Sequence, residues 1–150
     1  MPEDVLTENA PLDIRFSEAE LETAREEIVS FIRDTVDAAG AEGAVLGMSG
    51  GIDSTLTAYL AVEALGEDGL HGLTMPARVS DEELMSDAEA VAESLEIPYD
   101  VIEIETIAEQ FDEAFPEGTE DKTAAGNVRV RTRAVMNYYV ANTENRIVLG

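Results

Sequence analysis

The stretch AVLGMSGGIDSTLTAYL, residues 44–60, places glycine and hydroxyl residues between two apolar segments. The first segment, residues 44–47, predicts a short buried strand, and the second predicts a helix to about Leu65. Between them, Gly50 and Gly51 allow positive φ angles and keep the main chain free of Cβ atoms. The first amides of a helix have no partner within it, and the helix dipole is positive there, so this turn is suited to bind a phosphate.

A carboxylate, Asp53, stands in the first turn after the glycines, whereas a Walker-type loop would carry a lysine followed by serine or threonine. Carboxylate and phosphate repel each other unless a cation lies between them, so Asp53 is predicted to bind Mg²⁺. The alternative is an aspartate that caps its own helix beside a tight turn. Ser49 and Ser54 are expected to add hydroxyl donors to the anion site.

The rest of the chain alternates between helical and strand patterns. Such alternation indicates crossover connections and an α/β fold, a doubly wound parallel sheet with helices on both faces. Capping-box spacing at Ser17 and Glu20, and again at Ser80 and Glu83, predicts two helix starts. The predicted elements are helix 17–40, strand 44–47, a helix to Leu65 packed through Leu56, Tyr59, Leu60 and Ala64, strand 70–75, helix 80–95, strand 99–104, helix 106–115, loop 116–126, helix 127–142 and strand 146–150.

The domain organisation follows from this pattern. Residues 1–16 contain two prolines and no periodicity and are expected to form an irregular lead-in, while residues 17–150 form a single domain. The last predicted strand stops at Gly150, without a loop at its carboxyl end, where open parallel sheets place their ligands. We therefore expect the fold to be truncated after its fourth strand and the sequence to be part of a longer protein.

The composition is strongly acidic, with 33 Asp and Glu residues against 9 Lys and Arg residues and a formal net charge of −24. The acids are spread through amphipathic segments, so they are expected on solvated helix faces. Salt weakens this self-repulsion, since the Debye length falls to about 3 Å at 1 M, and a halophilic cytoplasm is our hypothesis. The same charge argues against sequence-independent binding of nucleic acid, which needs a cationic surface.

Other residue types narrow the possible chemistry. The chain has no cysteine, which excludes disulfides, thiolate metal sites and a cysteine nucleophile from this chain. The single histidine, His71, lies in an apolar stretch and is predicted to be a strand residue rather than a metal ligand. No apolar run approaches the roughly 20 residues of a membrane span. The amino terminus also lacks the features of a secretory signal, so we expect a cytoplasmic protein without a membrane partner.

The loop SGGIDS, residues 49–54, resembles the pyrophosphate-binding loop of the N-type ATP pyrophosphatases, which include the NAD, GMP and asparagine synthetases. Members adenylate a carboxyl or carbonyl oxygen, release pyrophosphate, and let a nitrogen or sulfur nucleophile displace AMP. The resemblance implies an adenine nucleotide alpha hydrolase-like fold, with Asp53 as a Mg²⁺ ligand. The implied ATP-binding residues of the loop are Gly47, Met48, Ser49, Gly50, Gly51, Ile52, Asp53 and Ser54.

Three further stretches resemble NAD synthetases in particular, so that the resemblance covers residues 17–150. It implies that Arg131 and Asn127 bind deamido-NAD and that Arg78 lies near ATP. Val130 stands where the family has alanine, which should change packing more than chemistry. The three stretches are LTMPARVS at 73–80, GNVRVRTRAVMNYY at 126–139 and IVLG at 147–150.

The resemblance implies amidation of deamido-NAD with ATP, Mg²⁺ and ammonia through an acyl-adenylate, by a homodimer that meets at the helix of Arg131, Tyr138 and Tyr139. The family's remaining site residues lie beyond Gly150, so this chain alone is expected to turn over little or nothing. The alternatives are a GMP synthetase ATPase domain and a non-catalytic nucleotide-binding domain. A tRNA-thiolating relative is disfavoured because the chain is acidic and has no cysteine.

The arginine-rich segment has two local readings. VRVRTRAV, residues 128–135, alternates with period two and could be an exposed edge strand, but the apolar pattern that follows it favours a helix. On a helix, Arg129 and Arg133 share one side and Arg131 points elsewhere. Arginine gives bidentate contacts to phosphate or carboxylate, as a negatively charged dinucleotide requires. We expect at least one of Arg129 and Arg133 to pair with a surface acid instead.

Overall fold

The computed structural model describes residues 15–77, 82–118 and 120–150. In chain order the elements are α1 (Glu18–Ala39), β1 (Ala44–Met48), α2 (Ile52–Leu65), β2 (Leu70–Thr74), α3 (Glu82–Ser94), β3 (Tyr99–Val101), α4 (Glu105–Ala114), α5 (Lys122–Thr143) and β4 (Ile147–Leu149). Short 3₁₀ turns, Glu67–Gly69 and Pro116–Gly118, precede β2 and follow α4. The order of helices and strands agrees with the prediction.

The four strands form one parallel sheet in the order β3-β2-β1-β4. Alternate side chains of β1 pack into hydrophobic cores on opposite faces of the sheet, because successive side chains of a strand point to opposite faces. Leu46 packs with Ala61 of α2 on one face, while Val45 packs with Ala141 of α5 on the other. Helices therefore cover both faces, which confirms the predicted doubly wound architecture.

The first predicted capping box is present at the start of α1. The Ser17 hydroxyl accepts from the Glu20 amide, and the Glu20 carboxylate accepts from the Ser17 amide at 2.8 Å. The hydrogen bond from the Ser17 backbone amide, and to a lesser extent the one from the Ser17 side chain, lowers the pKa of Glu20. Gly40 ends the helix in the left-handed conformation, with φ of 62°. In the second predicted box, Ser80 lies outside the described residues.

Helix α2 packs differently from the prediction. Ala58, Ala61 and Ala64 are buried, whereas Leu56 and Tyr59 are 58% and 51% exposed. Small side chains allow the helix axis to approach the sheet closely, so the alanine face is the one that packs inward. Leu56 and Tyr59 point outward, so only the predicted packing of Ala64 and of Leu60, which contacts the α1 cluster, is confirmed.

Helix α5 begins earlier than predicted, at Lys122 rather than at residue 127. The Asp121 carboxylate accepts from the amides of Thr123 and Ala124, and this N-cap starts the helix inside the segment predicted to be a loop. Gly126 is accommodated within the helix, at a cost of about 1 kcal/mol relative to alanine. The helical reading of the arginine segment is confirmed, and the edge-strand reading is wrong.

Strand β3 covers only Tyr99–Val101, shorter than the predicted 99–104. The chain beyond it still follows β2, because the Ile102 amide donates to Thr74 O and the Ile104 amide donates to Pro76 O. Within the described residues, none of the helices is long and apolar enough to cross a membrane.

We predict that salt stabilises the full-length protein. With a net charge of −24, raising KCl from about 0.1 M to about 3 M screens carboxylate repulsion and should raise the thermal unfolding midpoint. The measurement is thermal unfolding in KCl, with sucrose of matched osmolality as the non-ionic control. An unfolding midpoint that does not depend on KCl would contradict the halophilic hypothesis.

Candidate functional site

The glycine-rich loop leaves the carboxyl end of β1 and enters α2 directly. Strand β1 lies between β2 and β4. The chain adds β2 and β3 on one side of β1, and only later adds β4 on the other side. The carboxyl end of such a strand borders the crevice in which open α/β sheets bind ligands. The fold therefore places residues 49–54 at the expected ligand-binding edge.

Serine hydroxyls shape this loop. The Ser54 hydroxyl accepts from the Ser49 amide at 3.2 Å and donates to Gly51 O at 3.1 Å. The Ser49 hydroxyl lies 3.1 Å from Ser54 Oγ and accepts from the Gly51 amide at 3.3 Å. Gly50 has φ of 75°, a conformation that glycine adopts without strain. Both hydroxyl groups thus help to hold the loop, and their role as donors to an anion stays a prediction.

The first turn of α2 leaves several backbone amides open. Its N-cap, Gly51, supplies no side chain, and the amides of Ile52, Asp53 and Ser54 have no hydrogen-bond partner within the part of the chain that the structure describes. The Ile52 side chain is 83% exposed, so nothing apolar among the described residues covers this turn. Three unpaired amides at a positive helix end form a nest that is suited to bind an anion.

The Asp53 carboxylate lies in this first turn and makes no hydrogen bond to the described residues. It does not cap α2, because Gly51 holds the N-cap position. Among the described residues, no group of three or more His, Cys, Asp or Glu side chains could hold a metal ion. Mg²⁺ is commonly bound by one or two carboxylates together with substrate phosphates, so a single open carboxylate beside an anion nest fits this ion.

Gly47 and Met48, which the resemblance includes in the loop, belong to β1. The Met48 side chain is buried in the core, so only its main chain could contact a ligand. A Cβ on Gly47 would lie 3.1 Å from Asn137 Nδ2 and 3.4 Å from Met75 Cε. Close packing against α5 and the end of β2 therefore explains the glycine at position 47 without a ligand contact.

The three arginines of α5 have separate environments. Arg129 forms a bidentate ion pair with Glu105 at the start of α4, with Nε 2.9 Å from Oε2, and its Nη1 donates to Ala125 O. The hydrogen bond to Glu105 raises the pKa of Arg129. This pair confirms the expected salt bridge. Arg133, one turn further along, is part-buried, and its Nε donates to Met75 O at 3.0 Å.

Arg131 lies on the side of α5 that faces away from the sheet. Arg131 and Asn127 are both exposed residues, and the Arg131 Nη1 donates to the backbone oxygen of Asn127. Arg131 borders an apolar cavity of about 170 Å³ between α4 and α5, lined also by Ile107, Phe111, Val128, Thr132, Val135 and Met136. The structure therefore brings Arg131 and Asn127 together, but not beside the glycine loop. Arg78 lies outside the described residues.

His71 lies in β2, which confirms the predicted strand position, and it is buried. Its Nδ1 lies 2.9 Å from both carboxylate oxygens of Glu144, and its Nε2 lies 3.0 Å from Asp100 Oδ2. Arg146 Nε is 2.9 Å from Glu144 Oε2. His71 is near the amino-terminal end of its strand, so this cluster lies at the opposite edge of the sheet from the loop.

Sequence reasoning missed the contacts of Arg133 and Asn137. The signal was the i, i+4 spacing of Arg129, Arg133 and Asn137, which places all three on one side of α5. Arg133 meets Met75 at the end of β2, and Asn137 lies beside Gly47 in β1. Both partners are far away in the sequence, so spacing alone does not reveal these contacts.

A family model described as NAD synthase matches residues 24–150. The NH(3)-dependent NAD(+) synthetase of Halobacterium salinarum is 59% identical over 141 residues, covering 94% of this chain and 53% of that protein. The NH3-dependent NAD synthetase structure from Campylobacter jejuni has a TM-score of 0.80 at 32% identity, covering 86% of this chain and 55% of that one. The NMN synthetase structure from Francisella tularensis has a TM-score of 0.76 at 32% identity, covering 91% of this chain and 55% of that one.

The chain thus spans about half the length of the curated relatives it matches. The matched region includes the glycine loop, β2 and the arginine helix, which are the stretches that carry the resemblance. By this match, the chain belongs to the NAD synthase family.

Proposed function

We propose that the full-length protein amidates deamido-NAD with ATP and ammonia, giving NAD, AMP and pyrophosphate. The observation that carries the proposal is the nest of three amides, Ile52 to Ser54, beside the Asp53 carboxylate, none of which has a hydrogen-bond partner among the described residues. Membership of the NAD synthase family and the similarity to NH(3)-dependent synthetases support the same activity.

The loop acts on the triphosphate tail of ATP in this proposal. The amides of Ile52, Asp53 and Ser54 bind the β- and γ-phosphates, and the hydroxyl network of Ser49 and Ser54 keeps these donors fixed before ATP arrives. Donors that are already in position stabilise developing charge without reorganisation. Asp53 would hold Mg²⁺, and the bound ion would supply positive charge for the leaving pyrophosphate. Gly47, Met48, Gly50 and Gly51 contribute main chain to the same site, and Arg78 is proposed to lie near ATP.

The acceptor is proposed to use the outer side of α5. Arg131 and Asn127 bind the negatively charged dinucleotide, and the cavity beside Arg131 is large enough for a ring but not for a whole dinucleotide, since complete ligand pockets are about 300–1,000 Å³. One oxygen of the nicotinate carboxylate attacks the α-phosphorus of ATP, and the bond to the β-phosphate oxygen breaks. Ammonia then attacks the acyl carbon, the bond from that carbon to the phosphate oxygen breaks so that AMP leaves, and the nitrogen releases a proton to solvent. Positioning of reactants supplies the acceleration, without a covalent enzyme intermediate.

Arg131 faces away from the sheet, which agrees with an acceptor site shared between subunits. Val130, Val135, Tyr138 and Tyr139 on the same helix are between 60% and 65% exposed. We propose that this side of α5 is the homodimer contact and that the partner copy completes the acceptor site. The chain contains no cysteine for a glutaminase reaction, so free ammonia is the proposed nitrogen source, and a cytoplasmic location is proposed with it.

The proposal is tested by measuring pyrophosphate release from ATP by the full-length protein, with ammonium and Mg²⁺ present. We predict that release depends on deamido-NAD. The comparison acceptors are XMP, for a GMP synthetase, and nicotinic acid mononucleotide, because one similar structure is an NMN synthetase. Release that depends on either of these acceptors, or on no acceptor, would overturn the assignment. Binding of ATP without any turnover would favour a non-catalytic nucleotide-binding domain.

A further inference from the structure

We propose that Arg133 binds an oxyanion of the reacting substrates at the carboxyl end of the sheet, the α-phosphate of ATP being the expected group. The inference rests on the proposed function and adds a binding residue to it. Neither the glycine loop nor Arg131 supplies a guanidinium at this position. The location of Arg133, its free nitrogens and the contrast with its two neighbouring arginines support this role.

Arg133 reaches from α5 to the edge of the sheet where the loop begins. Its Nε is 3.0 Å from the carbonyl oxygen of Met75, the residue that follows β2. Met48 pairs with Thr74 in the sheet, so Met75 comes level with Ser49, the first residue after β1. Neighbouring strands are about 4.8 Å apart, which places the guanidinium close to the start of the phosphate loop.

One nitrogen of Arg133 holds the side chain while the others remain available. The Nε–H is used by Met75 O, whereas Nη1 and Nη2 have no hydrogen-bond partner among the described residues. Arg133 is not one of the described residues with buried side-chain nitrogens that lack a hydrogen bond, so its terminal nitrogens reach solvent. A guanidinium fixed at one donor keeps a planar pair of donors for a phosphate or carboxylate.

The neighbouring arginines do not have this combination. Arg129 is neutralised by Glu105, and Arg131 points away from the sheet. Arg133 is part-buried, and it forms no ion pair with any of the described acids. A part-buried guanidinium without an ion pair among the described residues can therefore bind an anionic ligand.

The proposed reaction develops negative charge that the Arg133 guanidinium can stabilise. When the acceptor carboxylate attacks the α-phosphorus, negative charge develops on the α-phosphoryl oxygens and on the oxygen that leaves with pyrophosphate. A cation held beside the phosphoryl group stabilises that charge, and hydrogen bonds from a charged donor are roughly twice as strong as neutral ones. Arg133 transfers no proton and forms no covalent bond.

The test compares Arg133→Ala and Arg133→Lys with Arg129→Ala in the full-length protein. The control removes the same charge from the same side of α5, one turn away, and breaks a structural ion pair. Mg·ATP binding is measured by calorimetry without any acceptor, acceptor-dependent pyrophosphate release gives kcat and KM, and thermal unfolding reports stability. We expect Arg133→Ala to weaken ATP binding about tenfold, with partial recovery in Arg133→Lys and no change in Arg129→Ala.

Each outcome decides the proposal. If ATP binding is unchanged but the KM for deamido-NAD rises in Arg133→Ala and not in Arg129→Ala, the bound oxyanion is the acceptor carboxylate. If Arg133→Ala and Arg129→Ala both lower the unfolding midpoint and change ATP binding and KM equally, Arg133 is only structural and the proposal is overturned. Should Arg133→Ala not fold, Arg133→Lys supplies the same comparison. If Arg133→Ala changes neither ATP binding nor the KM for deamido-NAD, the proposal is overturned. The calorimetric arm does not need turnover, so if the proposed reaction fails, unchanged Mg·ATP binding in Arg133→Ala overturns the proposal by itself.

Discussion

Replacing Asp53 by alanine is expected to reduce acceptor-dependent pyrophosphate release by about 10³-fold, because a bound cation contributes several kcal/mol of charge stabilisation. The carboxylate lies in the first turn of α2, is not used as a helix cap, and makes no hydrogen bond to the described residues. Its removal should leave the loop intact, since the Ser49 and Ser54 network does not include it. The measurement is pyrophosphate release across a Mg²⁺ titration.

Two comparisons make this result specific. Asp53→Asn keeps the size of the side chain and should be nearly as inactive, because the neutral amide is a much weaker Mg²⁺ ligand. Asp34→Ala removes an exposed acid from α1 and should leave the rate unchanged. Near-normal release by Asp53→Ala, with an unaltered Mg²⁺ requirement, would refute the metal assignment.

Gly50→Ala is expected to weaken ATP binding by about 10²-fold, because small displacements at a site that positions its ligand are costly. Gly50 has φ of 75°, where an L-residue is strained by about 1–2 kcal/mol. The loop can relieve this strain only by rotating the peptide, which would move the donors that follow it. A new Cβ also obstructs close approach of a phosphate to the main chain.

Gly40→Ala is the matched control for this change. Gly40 has φ of 62°, and a Cβ there would meet nothing within 4 Å, so the substitution carries similar backbone strain without altering the loop. Both variants should lose stability in thermal unfolding, but only Gly50→Ala should lose ATP affinity in calorimetry. Equal ATP affinity in the two variants would show that the loop does not bind the phosphates.

Much of the fold could be predicted because its signals are local. The capping box at Ser17 and Glu20 and the glycine stop at Gly40 specify α1 through contacts within a few residues. The inward face of α2 could not be predicted in this way. Whether Ala61 or Leu56 is buried depends on how closely the sheet approaches, which is a property of the packed structure.

The candidate site also has one part that local sequence predicts and one part that it does not. The glycines and Asp53 are adjacent in sequence, so their local pattern is enough to indicate an anion loop. The roles of the α5 arginines could not be separated, because spacing gives their side of the helix but not their partners. Arg129 meets Glu105, and Arg133 meets Met75, 58 residues away in the chain. Long-range contacts of this kind distinguish a structural arginine from one available to a ligand.

The most direct test of the account is a crystal structure of the full-length protein with Mg²⁺ and a non-hydrolysable ATP analogue. We predict β- and γ-phosphate oxygens within about 3 Å of the amides of Ile52, Asp53 and Ser54. If the triphosphate lies elsewhere while those amides are bonded to other parts of the protein, the assignment of the loop as the phosphate site is wrong.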